Sequence, residues 1–315
     1  MNKLKTVFFG TPDVAVPFLE LLNQLTDVRL VVTQADKPRG RGMEISPCPV
    51  KKRALELNLP VLSPEILKTH YEDLARVPFD LGIVVAYGKI FRPNFLALPK
   101  YGLINVHFSL LPQLRGAAPV QQALIQGYPK TGVSTFWIRE GMDDGPLYTQ
   151  KEYTITPQDN AQTLFEKLIA LGLEAMQETV LGVQEGKIIQ TPQTGEPTLA
   201  PMLTKQDAQI SFAAGTATAL FNRVRGLACG PKPKATITLH GKTEPLQLVR
   251  TRVESTTAAG TPGQILRVEK ENGILVQCKE GSLWINELHP AGKRPMPAYD
   301  YAMGHALKAG EKVFD

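Results

Sequence analysis

The sequence predicts an α/β protein: a doubly wound, mostly parallel sheet followed by a second, small antiparallel β-barrel. Three observations carry that expectation. Across the first two thirds of the 315 residues, short runs rich in Val, Ile and Phe alternate with segments of helical period. Those runs are nearly continuous in apolar residues, as strands covered on both faces require. Beyond residue 207 the pattern becomes a series of short strand-like runs, separated by Gly, Pro and Asn-Gly turns.

The elements follow in order. KTVFFG (5–10), VRLVVTQA (28–35), DLGIVVAYG (80–88) and GLINVHFS (102–109) read as strands bounded by Gly or Pro. Helical segments fall between and after them at 15–25, 50–58, 64–75 and 118–127. Several of these begin near a proline, which suits a first helical turn. GVSTFWIRE and GPLYTQKEYTI add two strands, and 160–185 has the apolar spacing of a long amphipathic helix. The Pro-rich, aperiodic stretch 190–207 reads as a linker between a first domain, 1–189, and a second, 208–315. The second opens with a helix at 216–224 and continues as strands, with a hairpin turn at KENGI. The whole reads as a Rossmann-like sheet joined to an OB-like barrel.

Composition narrows the class. An apolar fraction of 43% and a charged fraction of 21% are those of an ordinary soluble globular protein. No run approaches the ~18 apolar residues of a membrane span, and the N-terminal apolar stretch is too short for a signal peptide. Cys48, Cys229 and Cys278 are scattered, without metal-ligand spacing, so no metal is expected and a reducing cytoplasm is the plain reading. From Thr204 onward 15 Lys and Arg face 10 Asp and Glu, whereas the preceding residues hold 20 of each. The net charge of +5 therefore belongs to the last third, which points to a polyanion such as nucleic acid or to a merely basic domain.

The chemistry gathers in NVHFSLLP. In a strand, residues two apart share a face, so Asn105 and His107 emerge side by side at the strand's carboxyl end. Ligands of open α/β sheets sit in that crevice. A carboxamide can donate to a developing oxyanion, and an imidazole can exchange protons near neutral pH. Asp143 and Asp144 lie in a Gly-bounded turn, REGMDDGPLY, and either could orient the imidazole if the fold brings the turn close. Such a trio suits acyl transfer without a Ser or Cys nucleophile, provided the acceptor brings its own amine. FFGTPD ends the first strand with one glycine only, so a bound dinucleotide is not expected.

These residues carry a resemblance. NVHFSLLP, RGAAPVQQALIQG and TGVSTFWIREGMDDG together resemble the 10-formyltetrahydrofolate-dependent formyltransferases, and the similarity runs over nearly the whole chain. It implies transfer of a formyl group from 10-formyltetrahydrofolate, with Asn105, His107 and Asp143 as the catalytic trio. It implies folate contacts from Ser109, Leu110, Leu111 and Pro112, and a pterin wall from Ala86, Tyr87, Gly88 and Ile90.

The basic stretch DKPRGRGMEISPCPVKK matches the loop with which the tRNA-acting members enter an acceptor stem, through Lys37, Arg39 and above all Arg41. The implied acceptor is then the α-amine of a methionyl-initiator tRNA, and the expected protein is a monomer. A nucleotide-sugar formyltransferase using the same donor is the alternative. The chain departs from the family pattern at Asp144, where Thr is usual, at AQISF and at RGLACGPKPKAT.

Overall fold

The computed structural model describes residues 3–39, 44–255 and 260–315. The chain gathers into two compact units. The first comprises Met1–Pro119, Thr131–Tyr153 and Phe165–Ala200; the second comprises Val120–Lys130, Thr154–Leu164 and Pro201–Asp315.

The first unit opens with β1 (Lys5–Gly10), α1 (Val16–Leu25) and β2 (Asp27–Val32). Then come the short hairpin β3 (Lys37–Arg39) and β4 (Glu44–Ser46), α2 (Pro49–Glu56) and β5 (Val61–Leu62). The chain continues through α3 (Tyr71–Ala75), β6 (Leu81–Val85), α4 (Pro93–Leu96) and β7 (Leu103–His107). After α5 (Pro119–Ile125) the sheet is completed by β8 (Lys130–Trp137) and β9 (Leu147–Thr154), and α6 (Ala161–Glu185) follows. Spatial order is β5-β2-β1-β6-β7-β8-β9. The pairs from β5 to β7 are parallel, and β8 runs antiparallel to β7.

Local chemistry accounts for these elements. Every residue of β6 is buried, as a central strand covered on both faces demands. Gly82 lets the neighbouring strand close in, because a Cβ there would lie 2.3 Å from the Leu103 side chain. Helix α1 has a proline in its first turn and buries Phe18, Leu19 and Leu22 along one face. Helix α6 passes close to α1 and β7 at Gly172, where a Cβ would meet Phe18 at 2.8 Å and Val106 at 3.6 Å. Cys48 caps α2, its sulfur accepting from the Lys51 amide.

Three expectations are amended. The helix expected over 64–75 is a 3-10 turn at Leu67–His70 and the single short α3. The strand expected over 80–88 ends at Val85, because Ala86 at φ 46° and Gly88 at φ 71° leave the extended region. The basic stretch after β2 is not plain loop: Lys37 pairs with Ser46 and Arg39 with Glu44.

The second unit contains β10 (Gln209–Ile210), α7 (Ala217–Gly226), β11 (Lys234–Leu239) and β12 (Lys242–Ser255). Its later elements are β13 (Ile265–Glu269), β14 (Gly273–Gln277), β15 (Ser282–His289), β16 (Met296–Pro297) and α8 (Ala298–Gly304). The sheet order is β10-β11-β12-β15-β14-β13, antiparallel except for β10 against β11, with β16 beside β15. The KENGI turn joins β13 to β14 as expected. Gly273 has φ 90°, and a Cβ there would lie 2.1 Å from the Ile285 carbonyl. Ile237, Leu246, Val276 and Phe314 belong to the buried core, with Leu220 and Val224 from α7. No helix among the described residues is long and apolar enough to cross a membrane.

Candidate active site

Strand β7 presents Asn105 and His107 on one face, and its reverse residue Val106 turns toward α6. His107 is 6% exposed; its ring stands edge-on to Phe136, which pairs with Asn105 across β8. Nε2 lies 2.9 Å from the Leu114 carbonyl oxygen. A carbonyl can only accept, so Nε2 carries the hydrogen and the neutral ring keeps its lone pair on Nδ1. That Nδ1 faces the Asp143 carboxylate at 3.7 Å. Asp143 is itself held by the Gly116 amide, which donates to its Oδ2 at 2.8 Å. Asn105 is partly buried and has no side-chain hydrogen bond within the described residues, so its amide remains available to a bound molecule.

The sheet topology makes this convergence indirect. Because β8 is antiparallel, Trp137 pairs with Ile104 while Ser134 pairs with His107, so the chain leaves β8 at the far end of β7. The 138–146 loop then folds back to bring Asp143 to the imidazole. Asp143 has φ 48°, an uncommon conformation for a residue with a side chain, and it separates the two adjacent acids. Asp143 faces His107; Asp144 folds over Gly141, where a Cβ would lie 2.1 Å from the Asp144 carboxylate. Asp144 also lines a cleft of about 630 Å³ with Leu96, Trp137, Ile138, Arg139 and Glu140.

The loop after β7 is closed by its own polar groups. Ser109 is fully buried, its hydroxyl donating to the Gln113 carbonyl. The Ser134 hydroxyl donates to the Ser109 carbonyl and accepts from the Leu111 amide and the Gln150 carboxamide. Gln150 also donates to the Leu111 carbonyl. Leu110 packs over Gly132 of β8, where a Cβ would lie 2.6 Å from it. Of the four residues expected to touch folate here, Ser109 and Leu111 thus have their polar groups engaged internally, and Pro112 stays partly exposed.

The 86–90 wall is likewise divided. Ala86, Gly88 and Ile90 are exposed, Ile90 at 92%. Tyr87 is turned into the core against Phe9 and Phe91, where burial pushes its phenol up to about 12. Its hydroxyl has no hydrogen-bond partner among the described residues. Ile90, Lys89 and Arg92 instead line a smaller hollow of about 240 Å³ with Lys68 and Phe95. Lys37 and Arg39 fall on β3, and Arg41 lies outside the described residues. No group of three His, Cys, Asp or Glu among the described residues could hold a metal ion.

Residues from the stretch read as a linker also reach this site. Thr191 pairs with Leu147 through two backbone hydrogen bonds of 2.7 and 2.9 Å. The Thr198 hydroxyl accepts from the Leu114 amide, and the Thr198 carbonyl accepts from the Arg115 amide. Ala200 bonds backbone to backbone with Arg115 and Ala118. Gly116 makes room for this approach, since a Cβ there would meet the Ala200 carbonyl oxygen at 2.7 Å. Gln193 joins Arg115 to the carbonyls of Asp143 and Gly145. None of these positions carries a sequence signal of its own; a polar, Pro-rich stretch looks the same whether free or fastened.

The chain is a member of the formyl transferase family. Residues 4–180 match the sequence model of that family, described as "Formyl transferase", and residues 202–306 match that of its C-terminal domain. Relatives named methionyl-tRNA formyltransferase match end to end. One from Elusimicrobium minutum is 44% identical over 332 residues, spanning 99% of this chain and 100% of the relative. One from Thermodesulfovibrio yellowstonii is 43% identical, spanning 98% of each.

The chain belongs to the methionyl-tRNA formyltransferase family. Solved structures share the fold at much lower identity. The N-formyltransferase from Helicobacter canadensis, crystallised with folinic acid and dTDP-3-aminofucose, has a TM-score of 0.66 at 15% identity, over 90% of this chain and 99% of that one. HypX from Aquifex aeolicus, crystallised with tetrahydrofolic acid, has a TM-score of 0.62 at 13% identity. All of this chain matches about half, 51%, of HypX.

Proposed function

We infer that the chain transfers the formyl group of 10-formyltetrahydrofolate to the α-amine of a methionyl-initiator tRNA. The products are N-formylmethionyl-tRNA and tetrahydrofolate. The observation that supports this most is His107 facing Asp143 at 3.7 Å, with Asn105 on the same face of β7, in a chain that matches methionyl-tRNA formyltransferases over its full length. The folate brings the one-carbon unit as a formyl on N10. The Asn105 amide is free to donate to a carbonyl oxygen that gains negative charge, and such donors matter most where water is excluded. Nδ1 of His107 is the ring atom open to a proton, and it faces the Asp143 carboxylate at 3.7 Å. Asp143 also fixes the ring's direction.

We place the pterin against the cleft walled by Leu96, Trp137 and Ile138, with Asp144 and Glu140 at its polar rim. Apolar walls with a few convergent polar groups suit a flat heterocycle with a donor edge. Ala86, Gly88 and Ile90 remain the exposed candidates from the segments expected to touch folate, with Leu110 and Pro112 partly exposed. Lys37, Arg39 and Arg41 are assigned to the acceptor stem, and the basic residues of 208–315 to the phosphate backbone. On this reading 1–189 carries the chemistry with 191–200 fastened against it, and the protein acts as a cytoplasmic monomer.

The test is transfer of labelled formyl from 10-formyltetrahydrofolate. Product with charged initiator methionine tRNA, and little with elongator methionine tRNA, is the expected result. Product with an amino-sugar nucleotide instead would overturn the assignment.

A further inference from the structure

We propose that Gln193 is a positioning residue of the active site, clamping the acid-bearing turn to the loop that receives the imidazole. The proposal rests on the formyl-transfer reading for its consequence in catalysis, and on geometry alone for the clamp. Oε1 of Gln193 accepts from Arg115 Nε at 3.2 Å and from Arg115 Nη2 at 2.6 Å. Nε2 donates to the Asp143 carbonyl and to the Gly145 carbonyl, both at 2.8 Å. One primary amide thereby uses two acceptor sites and two donor hydrogens, its whole hydrogen-bonding capacity.

The partners explain why this matters. The two carbonyls bracket the turn Asp143–Gly145, and Asp143 has a positive φ, which carries a strain that outside contacts offset. Arg115 lies between Leu114, whose carbonyl fixes the His107 tautomer, and Gly116, whose amide holds the Asp143 carboxylate. Leu114 also has a positive φ, 61°, and its amide is tied to Thr198 of the same stretch. The carboxylate arrives on a loop and the imidazole at the end of β7, and Gln193 ties the carboxylate's turn to the loop that receives the imidazole. A slack clamp would let Asp143 drift from His107, and a displacement of about 1 Å can cost roughly 100-fold in rate.

Gln193→Ala and Gln193→Glu test this in the full chain. Gln193→Glu keeps size and the Arg115 partner but sets a carboxylate against two carbonyl oxygens, so it isolates the donor half of the clamp. Both variants should lower kcat by roughly 10- to 100-fold, with KM for 10-formyltetrahydrofolate changed by less than about threefold. In both, hydrogen exchange of the Gly116 amide should accelerate, because that amide reports the Asp143 carboxylate position, while the amides of β1 and β6 keep their protection. Should Gln193→Ala fail to fold, Gln193→Glu supplies the same reading.

Unchanged kcat together with unchanged Gly116 exchange in a folded variant overturns the proposal. A uniform loss of protection, with kcat falling only by the unfolded fraction, also overturns it and makes Gln193 merely structural. A wild-type chain that transfers no formyl group sinks the assigned function instead, and Gly116 exchange still decides whether the clamp exists.

Discussion

Two loops leave the carboxyl ends of adjacent parallel strands and are built in opposite ways. The loop after β7, residues 108–118, is closed by Ser109, Ser134, Gln150 and Thr198, with Arg115 held to Gln193. The loop after β6, residues 86–92, is fastened mainly by the Gln34 amide on the Tyr87 carbonyl and by burial of Tyr87 and Phe91. Its Ile90 stands in solvent. On the proposed reading the first loop anchors His107 and Asp143 through the Leu114 carbonyl and the Gly116 amide, and such groups must not move while bonds are exchanged. The second faces a hollow and has room to adapt to a ligand. Fastening should therefore govern turnover, and looseness should govern affinity.

The largest effect expected from breaking that contrast is at the imidazole. His107→Ala should lower kcat by at least ~100-fold in the labelled-formyl assay, as loss of such a group commonly does. Near-normal turnover would remove the ring from the chemistry. Next come the two acids: Asp143→Asn should cost roughly 10- to 100-fold in kcat. Asp144→Asn should act mainly on KM for the folate, since Asp144 lines the cleft. If Asp144→Asn proves the more damaging to kcat, the assignment of the two carboxylates is reversed.

In the looser loop, Ile90→Ala should raise folate KM a few-fold and leave kcat alone; an equal fall in kcat would mean that this loop shares the catalytic duty of its neighbour. The smallest effect belongs to Tyr87→Phe, which removes a buried hydroxyl without a partner among the described residues. Stability near neutral pH should hold or rise slightly. The phenol is pushed from 10.0 to about 12, so the folded state retains that proton longer than the unfolded chain. Its contribution is intact below pH 10 and lost as pH climbs toward 12. The Phe variant should show less alkaline destabilisation in that window, by thermal melts. A marked fall in folate affinity would return Tyr87 to the pterin wall.

Much of the fold could be read in advance. β1, β6 and β7 are predominantly apolar runs, and the Asn105–His107 pair follows from a period of two. The hairpin turn at Gly273 is likewise a local signal. What could not be read depends on partners distant in the chain. Whether Asp143 or Asp144 meets the ring is decided by the backbone at Asp143 and by an antiparallel β8. Whether 190–200 is free or fastened depends on bonds such as Thr198 to Leu114, 84 residues apart. Tyr87 reads as a strand residue either way, yet the left-handed turn at Ala86 sends its ring inward.

The bond from Nε2 to the Leu114 carbonyl has a consequence for traffic through the site. With that nitrogen occupied, the imidazole has a single working port. On the proposed reading, a hydrogen ion that the ring takes from an incoming amine would pass through the nitrogen beside the carboxylate. One main-chain oxygen thereby decides which face of the ring the proposed acceptor would meet.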